Sequence, residues 1–346
     1  MSLEVHLVVP GPITRLTGGT IYDRRIMQGL EELGHRVVVH ELDGTYPLAG
    51  EDEREAAEAS LAAMEPADRI VIDGLALPAF EHCLGRLPAR WVALVHHPLA
   101  LEGWPEATAA MLEGRERRML HAAGRVIVTG RRTAGDVERL GVPRNRVGVV
   151  EPGTERRPLA PADGYPPTLL TVGALIPRKG HDLLLSALAG LLDLAWGLVL
   201  IGPRGRDLEY EQRVMTLTDD TEVRERVHFE GEVDAGRLAQ AYAEADLFVL
   251  PSHHEGYGMA LAEAIARGLP VVSTRAGAIP DTVPESAGVL VPPGDLAGLR
   301  EALRELIADR AARLHLRDGA RAARQRLPRW PDQARAFADQ LMALEG

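Results

Sequence analysis

Two glutamates, Glu255 and Glu263, stand eight positions apart in a segment that also contains glycines at 256 and 258. The glycines disfavour one continuous helix, so we expect Glu255 on a loop and Glu263 on the helix that follows. Free N–H groups at a helix start suit an anion, and a carboxylate accepts hydrogen bonds from hydroxyl groups. The pattern therefore fits an anionic ligand with many hydroxyl groups; a capped helix with a solvated first turn is the alternative. The free backbone N–H groups are expected at roughly Tyr257 to Ala260, where the helix would begin.

A single lysine, Lys179, stands among 39 basic residues. It follows a loop that opens at Gly173, where a predicted strand ends, and it precedes a helix predicted to begin near His181. An ammonium group beside a helix start, at the carboxyl end of a strand, fits a diphosphate oxygen. A loop lysine that faces solvent is the alternative interpretation.

Two features of the first half of the chain could also contact a ligand. Gly18 and Gly19 come directly before a predicted helix, and glycine permits close approach of the backbone to a ligand. His96 directly follows a predicted strand, which places an imidazole at the carboxyl end of a sheet. A simple helix start and a structural histidine are the respective alternatives.

Several other chemistries find no support. The chain has no G-x-G-x-x-G after its first strand and no G-x-x-x-x-G-K-[ST], which argues against nicotinamide and Walker-type sites. His253 and His254 precede Glu255 without forming H-E-x-x-H, and Glu41 with Asp43 fits a solvated loop. We therefore expect neither a metal ion nor another cofactor.

Short runs of Val, Ile and Leu alternate with segments of helical periodicity, as is typical of parallel sheets covered on both faces. The predicted strands are 3–9, 37–40, 69–72, 91–95, 125–128 and 147–150, then 168–172, 197–201, 227–230, 247–250, 271–273 and 288–291. The predicted helices are 20–33, 54–64, 106–122 and 133–140, then 181–192, 208–217, 234–243, 259–267 and 296–308. The tail 311–346 is predicted helical, with breaks at Pro328 and Pro331.

Residues 151–167 contain five prolines and no periodicity, and we interpret them as an interdomain linker. The alternation before and after them predicts an α/β protein with two doubly wound, Rossmann-like domains that face an interdomain cleft. The predicted domains are 1–155 and 156–325, and a C-terminal helix in 326–346 is expected to cross back to the first.

Composition excludes several classes of protein. Of the 346 residues, 46% are hydrophobic and 26% charged, which indicates a soluble globular chain, and the net charge of −11 argues against nucleic-acid binding. Cys83 is the single cysteine, so no intramolecular disulfide can form. With no secretory signal pattern and no apolar run of about 20 residues, we expect a cytoplasmic protein. A basic concentration supports at most peripheral membrane contact, and a solvated helix face is the preferred interpretation: Arg115, Arg117, Arg118, Arg131 and Arg132.

The segment from Pro251 to Glu263 resembles the E-x7-E signature of retaining GT-B glycosyltransferases, a group that includes sucrose synthases and bacterial mannosyl- and glucosyltransferases. Further stretches agree with this family in order and spacing over nearly the whole chain. They are Gly34-His-Arg-Val-Val, Val149-Val-Glu-Pro-Gly-Thr, Val172-Gly173 with Lys179-Gly180, Phe229-Glu-Gly-Glu-Val233, Gly268-Leu-Pro-Val-Val-Ser and Leu290-Val-Pro-Pro-Gly-Asp295.

The resemblance implies a role for each candidate residue. Glu263 would hold the ribose hydroxyls of a nucleotide-sugar, Glu255 the hydroxyls of its sugar, and Lys179 the diphosphate. The backbone from Gly256 to Met259 would contact sugar and phosphate. The remaining contacts would come from Gly173 in the loop before Lys179, from Val233 beside the base, from Gly19 near the β-phosphate or acceptor, and from His96 near the anomeric carbon.

One position departs from the family pattern: Ala174 stands where an arginine is usual, so one of two diphosphate cations is missing. Arg178 adjoins Lys179, but neighbouring side chains rarely converge, and Arg204 is the other substitute considered.

The resulting expectation is a retaining, metal-independent glycosyltransferase, with a hexose as the expected sugar, that uses a nucleoside-diphosphate sugar. The acceptor is left open, with a lipid or a small glycoside as candidates. Two alternatives also stay open: a catalytically inactive nucleotide-sugar-binding protein of the same fold, which the Ala174 departure motivates, and a GT-B-like sugar-nucleotide epimerase.

Overall fold

The structure, a computed structural model, describes residues 2–65, 68–88, 90–219 and 223–345. It divides the chain into two compact units. Residues 1–153 and 328–346 form the first unit, and residues 154–327 form the second. The domain boundaries predicted at 155 and 325 each lie two residues from these divisions.

The first unit contains a parallel sheet with the strand order β2-β1-β3-β4-β5-β6. The chain leaves β1 toward one edge and then returns to the other side, so the order reverses between β1 and β3. Such a reversal opens a crevice at the carboxyl ends of the two central strands. The strands are β1 Glu4–Pro10, β2 Arg36–Leu42, β3 Arg69–Asp73, β4 Val92–Val95, β5 Arg125–Val128 and β6 Val147–Val149.

The second unit contains another parallel sheet, with the order β12-β11-β10-β7-β8-β9. Its order reverses between β7 and β10, where Leu169 pairs with Leu247 and Leu170 with Phe248. The strands are β7 Thr168–Val172, β8 Gly197–Ile201, β9 Val227–Gly231, β10 Leu247–Leu250, β11 Val271–Thr274 and β12 Gly288–Val291. The prediction of two doubly wound α/β domains is confirmed.

Helices cover the sheets, as the alternation predicts. In the first unit they are α1 Gly18–Glu32, α2 Glu51–Ser60, α3 Glu106–Ala122 and α4 Arg131–Arg139. The second unit contributes α5 His181–Ala189, α6 Leu208–Asp219, α7 Ala235–Glu244, α8 Met259–Ala266, α9 Ile279–Thr282, α10 Leu296–Ala308 and α11 Arg310–Ala323, and α12 Trp330–Met342 returns to the first. Short 3₁₀ helices include Leu77–Arg86, Leu99–Glu102 and Pro177–Lys179, and none of these three was predicted.

The central strands are buried on both faces, because helices pack on each side of both sheets. All five residues of β3 and all four of β10 are buried. Polar side chains that could reach a ligand are therefore expected where these strands end rather than along them. Asp73 is the last residue of β3 and His96 directly follows β4.

The interpretation of residues 151–167 as a linker is wrong for most of that segment. Ala160 and Ala162 are fully buried, and the Ala160 N–H donates to the Arg267 carbonyl at 2.8 Å. The side chain of Arg313, itself inaccessible to solvent, donates to the Gly164 carbonyl at 2.9 Å. Residues 154–167 thus form an extended strap that packs on the second unit. A count of proline residues does not distinguish such a strap from a free linker.

The C-terminal helix α12 packs within the first unit. Arg69 donates from Nε to the Leu341 carbonyl at 3.1 Å, and Arg125 donates to Gln340 Oε1 at 2.5 Å. Pro331 does not break the tail as predicted, because it lies in the first turn of α12, where no intrahelical N–H bond is lost. Across the part of the chain that the structure describes, no helix is both long enough and apolar enough to span a membrane.

Candidate functional site

A buried ion pair joins the loops that follow the two central strands of the second sheet. Lys179 ends the 3₁₀ helix after β7, and Glu255 lies on the loop after β10. The Lys179 Nζ donates to Glu255 Oε1 at 2.6 Å, and the two side chains are 15% and 8% exposed. The single lysine and the first glutamate of the pair thus meet where the strand order reverses, which is where ligands bind in open α/β sheets.

Two further side chains converge on the same carboxylate. Arg178 Nη1 lies 3.6 Å from Glu255 Oε2, and the Ser252 hydroxyl donates to Oε1 at 2.7 Å. Burial alone would raise the pKa of Glu255, but Lys179, Arg178 and the hydrogen bonds lower this pKa to about 2. Glu255 is therefore ionised at neutral pH and is matched by two cations.

The convergence of Arg178 corrects the expectation that it would point away from Lys179. The 3₁₀ helix Pro177–Lys179 turns its last two side chains toward the same loop, and Arg178 also donates to the His254 carbonyl at 2.9 Å. Arg204, the other substitute considered, instead donates to Glu211 at 2.6 Å and is half exposed. Arg178 rather than Arg204 is thus the second cation beside Lys179.

Close backbone contacts fix the two loops against each other. Gly180 has φ +68°, and a Cβ there would lie 2.4 Å from the Pro251 carbonyl oxygen. The His253 N–H donates to the Arg178 carbonyl at 2.8 Å, on the other side of the same junction. A side chain at 180 would be strained and would clash with backbone, so glycine is required at this position.

Helix α8 begins directly after the loop that carries Glu255. Gly258, at φ +88°, turns the chain into the helix, and Met259 is its first residue. Gly256 and Tyr257 lie half-buried on the loop between them, and the Tyr257 carbonyl accepts a hydrogen bond from Thr282 at 2.7 Å. The predicted loop-to-helix change is confirmed: Glu255 lies on the loop, and α8 begins at Met259 with N–H groups that have no partner within the helix.

Glu263 lies half-buried within α8, where Tyr242 from α7 orients its side chain. The Tyr242 hydroxyl donates to Glu263 Oε2 at 3.0 Å. Arg267, directly after the end of α8, stacks on the Tyr242 ring with its guanidinium 4.8 Å from the ring centre. Tyr242 was not singled out from the sequence, since a tyrosine on an amphipathic helix is usually a core residue.

Gly173, Ala174 and Val233 occupy neighbouring loops of the same unit. The Gly173 N–H donates to the Ile201 carbonyl at 2.8 Å, and a Cβ at this glycine would lie 3.5 Å from Lys179 Cδ. The Ala174 carbonyl accepts a hydrogen bond from His181 Nε2 at 3.0 Å, and burial lowers the pKa of this histidine to about 4. Val233 lies half-buried between β9 and α7.

A second buried cluster lies where the strand order of the first sheet reverses. His96 Nε2 lies 3.3 Å from Asp23 Oδ1, on α1, and 3.1 Å from Asp73 Oδ2, at the end of β3. Both aspartates are almost fully buried, and the histidine side chain is 17% exposed. A Cβ at Gly19 would lie 3.3 Å from His96 Cδ2, so this glycine lies against the imidazole ring. Its approach to a ligand stays a prediction.

The sequence analysis did not identify Asp23 or Asp73 as site residues, although the position of each is unusual for an acid. Asp73 ends an otherwise apolar strand, Arg69–Asp73, and Asp23 shares the helix face of Gly19, Ile26 and Leu30. An acid on a buried face is unfavourable unless it has a partner. Spacing alone could not show that the partner of both is His96, which lies 73 residues after Asp23 and 23 residues after Asp73.

The same three side chains form the one group, among the described residues, whose potential metal-ligand atoms all lie within 4.8 Å of one another. Two carboxylates and an imidazole suit several divalent metals. The absence of a metal stays a prediction.

Three of the five arginines of the basic concentration lie on α3, and each is paired locally. Arg115 and Arg118 both contact Glu81, at 3.5 and 2.5 Å, and Arg117 pairs with Glu113 one turn away at 2.6 Å. These pairs agree with a solvated helix face, and peripheral membrane contact stays a prediction.

Comparisons with known proteins agree with this architecture. Residues 154–323 match the family model described as glycosyl transferases group 1. A D-inositol 3-phosphate glycosyltransferase from Xylanimonas cellulosilytica is 33% identical over 243 residues, which cover 65% of this chain and 58% of that protein. The chain thus spans less than two thirds of the length of the first curated relatives that it matches.

Solved structures extend the similarity to the whole fold. Sucrose-phosphate synthase from Thermosynechococcus elongatus matches with a TM-score of 0.83 and 24% identity over 99% of both chains. Anabaena HepE, in complex with UDP and glucose, matches with a TM-score of 0.80 and 17% identity over 99% of this chain and 100% of that one. The chain therefore has the fold of GT-B glycosyltransferases, and its residues 154–323 match the group 1 glycosyltransferase family.

Proposed function

We propose that this chain is a retaining glycosyltransferase that moves a hexose from a nucleoside-diphosphate sugar to an acceptor without a metal ion. The observation that carries the proposal is the buried convergence of Lys179, Arg178 and Glu255 within the segment that matches the group 1 family. The three charges sum to +1, at the carboxyl ends of the central strands and beside the first turn of α8.

The difficult step is cleavage of the bond between the anomeric carbon and the diphosphate, because negative charge grows on the leaving oxygen. Two fixed cations and the N–H groups at the start of α8 would stabilise that charge. Because the cations already stand in place, little reorganisation is needed as the bond breaks. In a retaining reaction on the leaving group's own face, the departing phosphate can take the acceptor's proton, so this proposal needs no separate base.

The two glutamates would bind hydroxyl groups of the donor. Glu255, held ionised by its cations, can accept hydrogen bonds from sugar hydroxyls, and Glu263 from the ribose hydroxyls. Gly173 and the backbone of residues 256–259 would allow close approach of sugar and phosphates, with Val233 beside the base. Gly19 would lie near the β-phosphate or the acceptor, and His96 would lie near the anomeric carbon of the sugar.

The first donors to test are UDP-sugars, because a structural neighbour is described in complex with UDP-glucose. The first acceptor to test is an inositol phosphate, because relatives are named for it, followed by small glycosides and lipids.

Ala174 favours one second candidate, an inactive nucleotide-sugar-binding protein. The family's usual arginine is absent there, and a side chain missing from the diphosphate site could prevent transfer while it leaves binding intact. Arg178 argues against this candidate, since its guanidinium is a second cation at the same carboxylate as the Lys179 ammonium.

A donor screen followed by product analysis tests the proposal. UDP-, GDP-, ADP- and dTDP-sugars are compared by thermal shift, where a ligand at 100 times its Kd stabilises by about 2.7 kcal/mol. We expect one base to stand out, transfer to survive EDTA, and the product's anomeric proton to show retained configuration by NMR. Binding without transfer or donor hydrolysis would favour the inactive protein, and interconversion of the sugar on an intact nucleotide would favour an epimerase.

A further inference from the structure

The cluster at the reversal point of the first sheet places one imidazole against two buried carboxylates. Asp23 and Asp73 approach the same nitrogen, His96 Nε2, from α1 and from the end of β3. We infer that Asp23 and Asp73 are positioning residues that hold His96 as an imidazolium, so that it serves as a hydrogen-bond donor toward a substrate hydroxyl and not as a base. The functional part of this inference rests on the proposed transferase activity; the protonation state does not.

Burial makes the charge of Asp23 depend on the histidine. Asp23 is 1% exposed, and among the described residues neither of its carboxylate oxygens has a hydrogen-bond partner of normal geometry. An ionised carboxylate in such a place is costly unless an opposite charge lies close to it. His96 is the cation at that distance, 3.3 Å away.

Asp73 approaches the same nitrogen, and a backbone contact fixes its carboxylate. Its Oδ2 lies 3.1 Å from His96 Nε2, while its Oδ1 accepts a hydrogen bond at 2.7 Å from the N–H of Leu75, two residues on. This backbone contact fixes the carboxylate at the end of β3. The carboxylate can therefore orient the ring as well as charge it.

The other groups around His96 are neutral or paired elsewhere. From α1, Tyr22 presents its ring at 5.3 Å and donates its hydroxyl to the Val150 carbonyl, and burial raises the pKa of this tyrosine. After β5, the Thr129 hydroxyl donates to the His96 carbonyl at 3.0 Å. His97 pairs with Glu102. Burial alone would lower the pKa of His96, and the two aspartates raise it to about 10.

The imidazolium has a defined donor for a ligand. Nε2 is buried, whereas the side chain as a whole is 17% exposed, so the accessible part of the ring lies away from the carboxylates. In an imidazolium both nitrogens carry a proton, and Nδ1–H is the donor that is not directed at the aspartates. Such a group donates a strong, charge-assisted hydrogen bond to an oxygen but cannot accept a proton.

The test is the protonation state of His96, followed by NMR over pH 5–10.5 in the full chain without added nucleotide. The His96 ring signals are assigned by their loss in His96→Gln. In the wild type we expect them to stay those of an imidazolium through pH 9. In Asp23→Asn and in Asp73→Asn we expect the midpoint of the His96 titration to fall by one pH unit or more, which is about a tenfold loss of proton affinity per unit. The asparagine at 73 can still accept the hydrogen bond from the Leu75 N–H through its Oδ1.

Asp136→Asn is the matched control, because Asp136 is a buried aspartate of the same unit that pairs with Arg139 and not with His96. Its midpoint for His96 should equal that of the wild type. A wild-type midpoint near 6.5, or one that neither Asp23→Asn nor Asp73→Asn lowers, overturns the inference.

A metal would also overturn it. If one equivalent of Zn²⁺ or Mn²⁺ perturbs the His96 signals at pH 7 and stays bound through gel filtration, the three side chains are metal ligands. Failure of all nucleotide-sugars to bind would instead sink the proposed function and leave the titration of His96 unaffected.

Discussion

The two units place opposite charge patterns at equivalent points of their sheets. In the second unit, two cations, Lys179 and Arg178, surround one carboxylate, Glu255. In the first, the two carboxylates of Asp23 and Asp73 surround one imidazole, that of His96. Both clusters lie where the strand order reverses, at the carboxyl ends of neighbouring or near-neighbouring strands.

The difference shows that the point where the strand order reverses can carry either net charge, depending on the side chains placed there. With every group ionised, the second-unit cluster carries a charge of +1 and the first-unit cluster −1. A positive cluster suits a diphosphate, on which negative charge grows as the bond breaks. In the first-unit cluster the accessible group is the imidazolium, which suits, as a hydrogen-bond donor, the oxygen of a hydroxyl group.

The largest effect should follow removal of the second unit's ammonium. We expect Lys179→Ala to lower transfer by about 10²–10³-fold, the usual cost of one preorganised electrostatic contact to a developing charge. The fold should survive, since the remaining Glu255 keeps Arg178 and Ser252 as partners. Transfer rates measured with the donor selected by thermal shift check this.

Arg204→Ala is the matched control for that experiment. Arg204 lies in the same unit but pairs with Glu211, so its loss should leave transfer within twofold or so of the wild type. If Arg204→Ala is as damaging as Lys179→Ala, the assignment of the second cation to Arg178 is wrong.

Much of the positive cluster could be predicted from the sequence. The sequence contains local signals for it: a lone lysine in an arginine-rich chain and two glutamates separated by glycines. The periodicity of strands and helices placed the lysine and the first glutamate after the ends of strands. The convergence of Arg178 could not be predicted, because it depends on the turn of the 3₁₀ helix Pro177–Lys179 and on rotamers.

The negative cluster was harder to predict, and only His96 of its three members was found. Asp23 lies in the middle of a helix and Asp73 in a run that reads as a buried strand, so each was hidden within a regular element. Which of many acids is buried depends on packing between elements distant in the sequence. The strap of residues 154–167 escaped prediction for the same reason.

The next largest effect is a loss of stability at alkaline pH, which the first-unit cluster should cause and the second-unit cluster should not. His96 has a raised pKa, so its stabilisation is complete below about pH 6.5 and is lost as the pH rises through about 10. Relative to an Asp23→Asn/His96→Gln double variant, the wild type should lose about 3 kcal/mol of unfolding free energy between pH 6.5 and 9. The double variant is the reference because Asp23 alone would take up a proton.

Chemical denaturation at each pH measures this difference. A parallel dependence in the wild type and the double variant would mean that His96 is not charged by its neighbours, and the contrast between the two units would disappear.

The second unit should show the opposite dependence, at acid pH. Glu255 has a lowered pKa, so its stabilisation is present above about pH 4.5 and is lost as the pH falls through about 2. The advantage of the wild type over Glu255→Gln should thus shrink by about 2 kcal/mol between pH 4.5 and 3. Glu230→Gln, which removes a carboxylate paired with Arg237 in the same unit, should not reproduce this trend. An advantage independent of pH would show that the cations do not hold Glu255 ionised.

The smallest expected effect is on the affinity of the second unit for the nucleotide. Tyr242 donates to Glu263, the carboxylate proposed to bind ribose, so Tyr242→Phe should loosen that side chain without any change of charge. We expect calorimetry to show UDP bound more weakly by about 1 kcal/mol, the net worth of one hydrogen bond. The affinity for 2′-deoxy-UDP should change less, because it lacks one of the hydroxyls that Glu263 would accept.

Tyr210→Phe removes another buried tyrosine hydroxyl of the same unit, bonded to Asp182 at 2.7 Å, and should weaken neither ligand. Equal losses for UDP and 2′-deoxy-UDP in Tyr242→Phe would instead assign Tyr242 to packing of α7 against α8. The positive cluster alone would then account for recognition of the nucleotide by this unit.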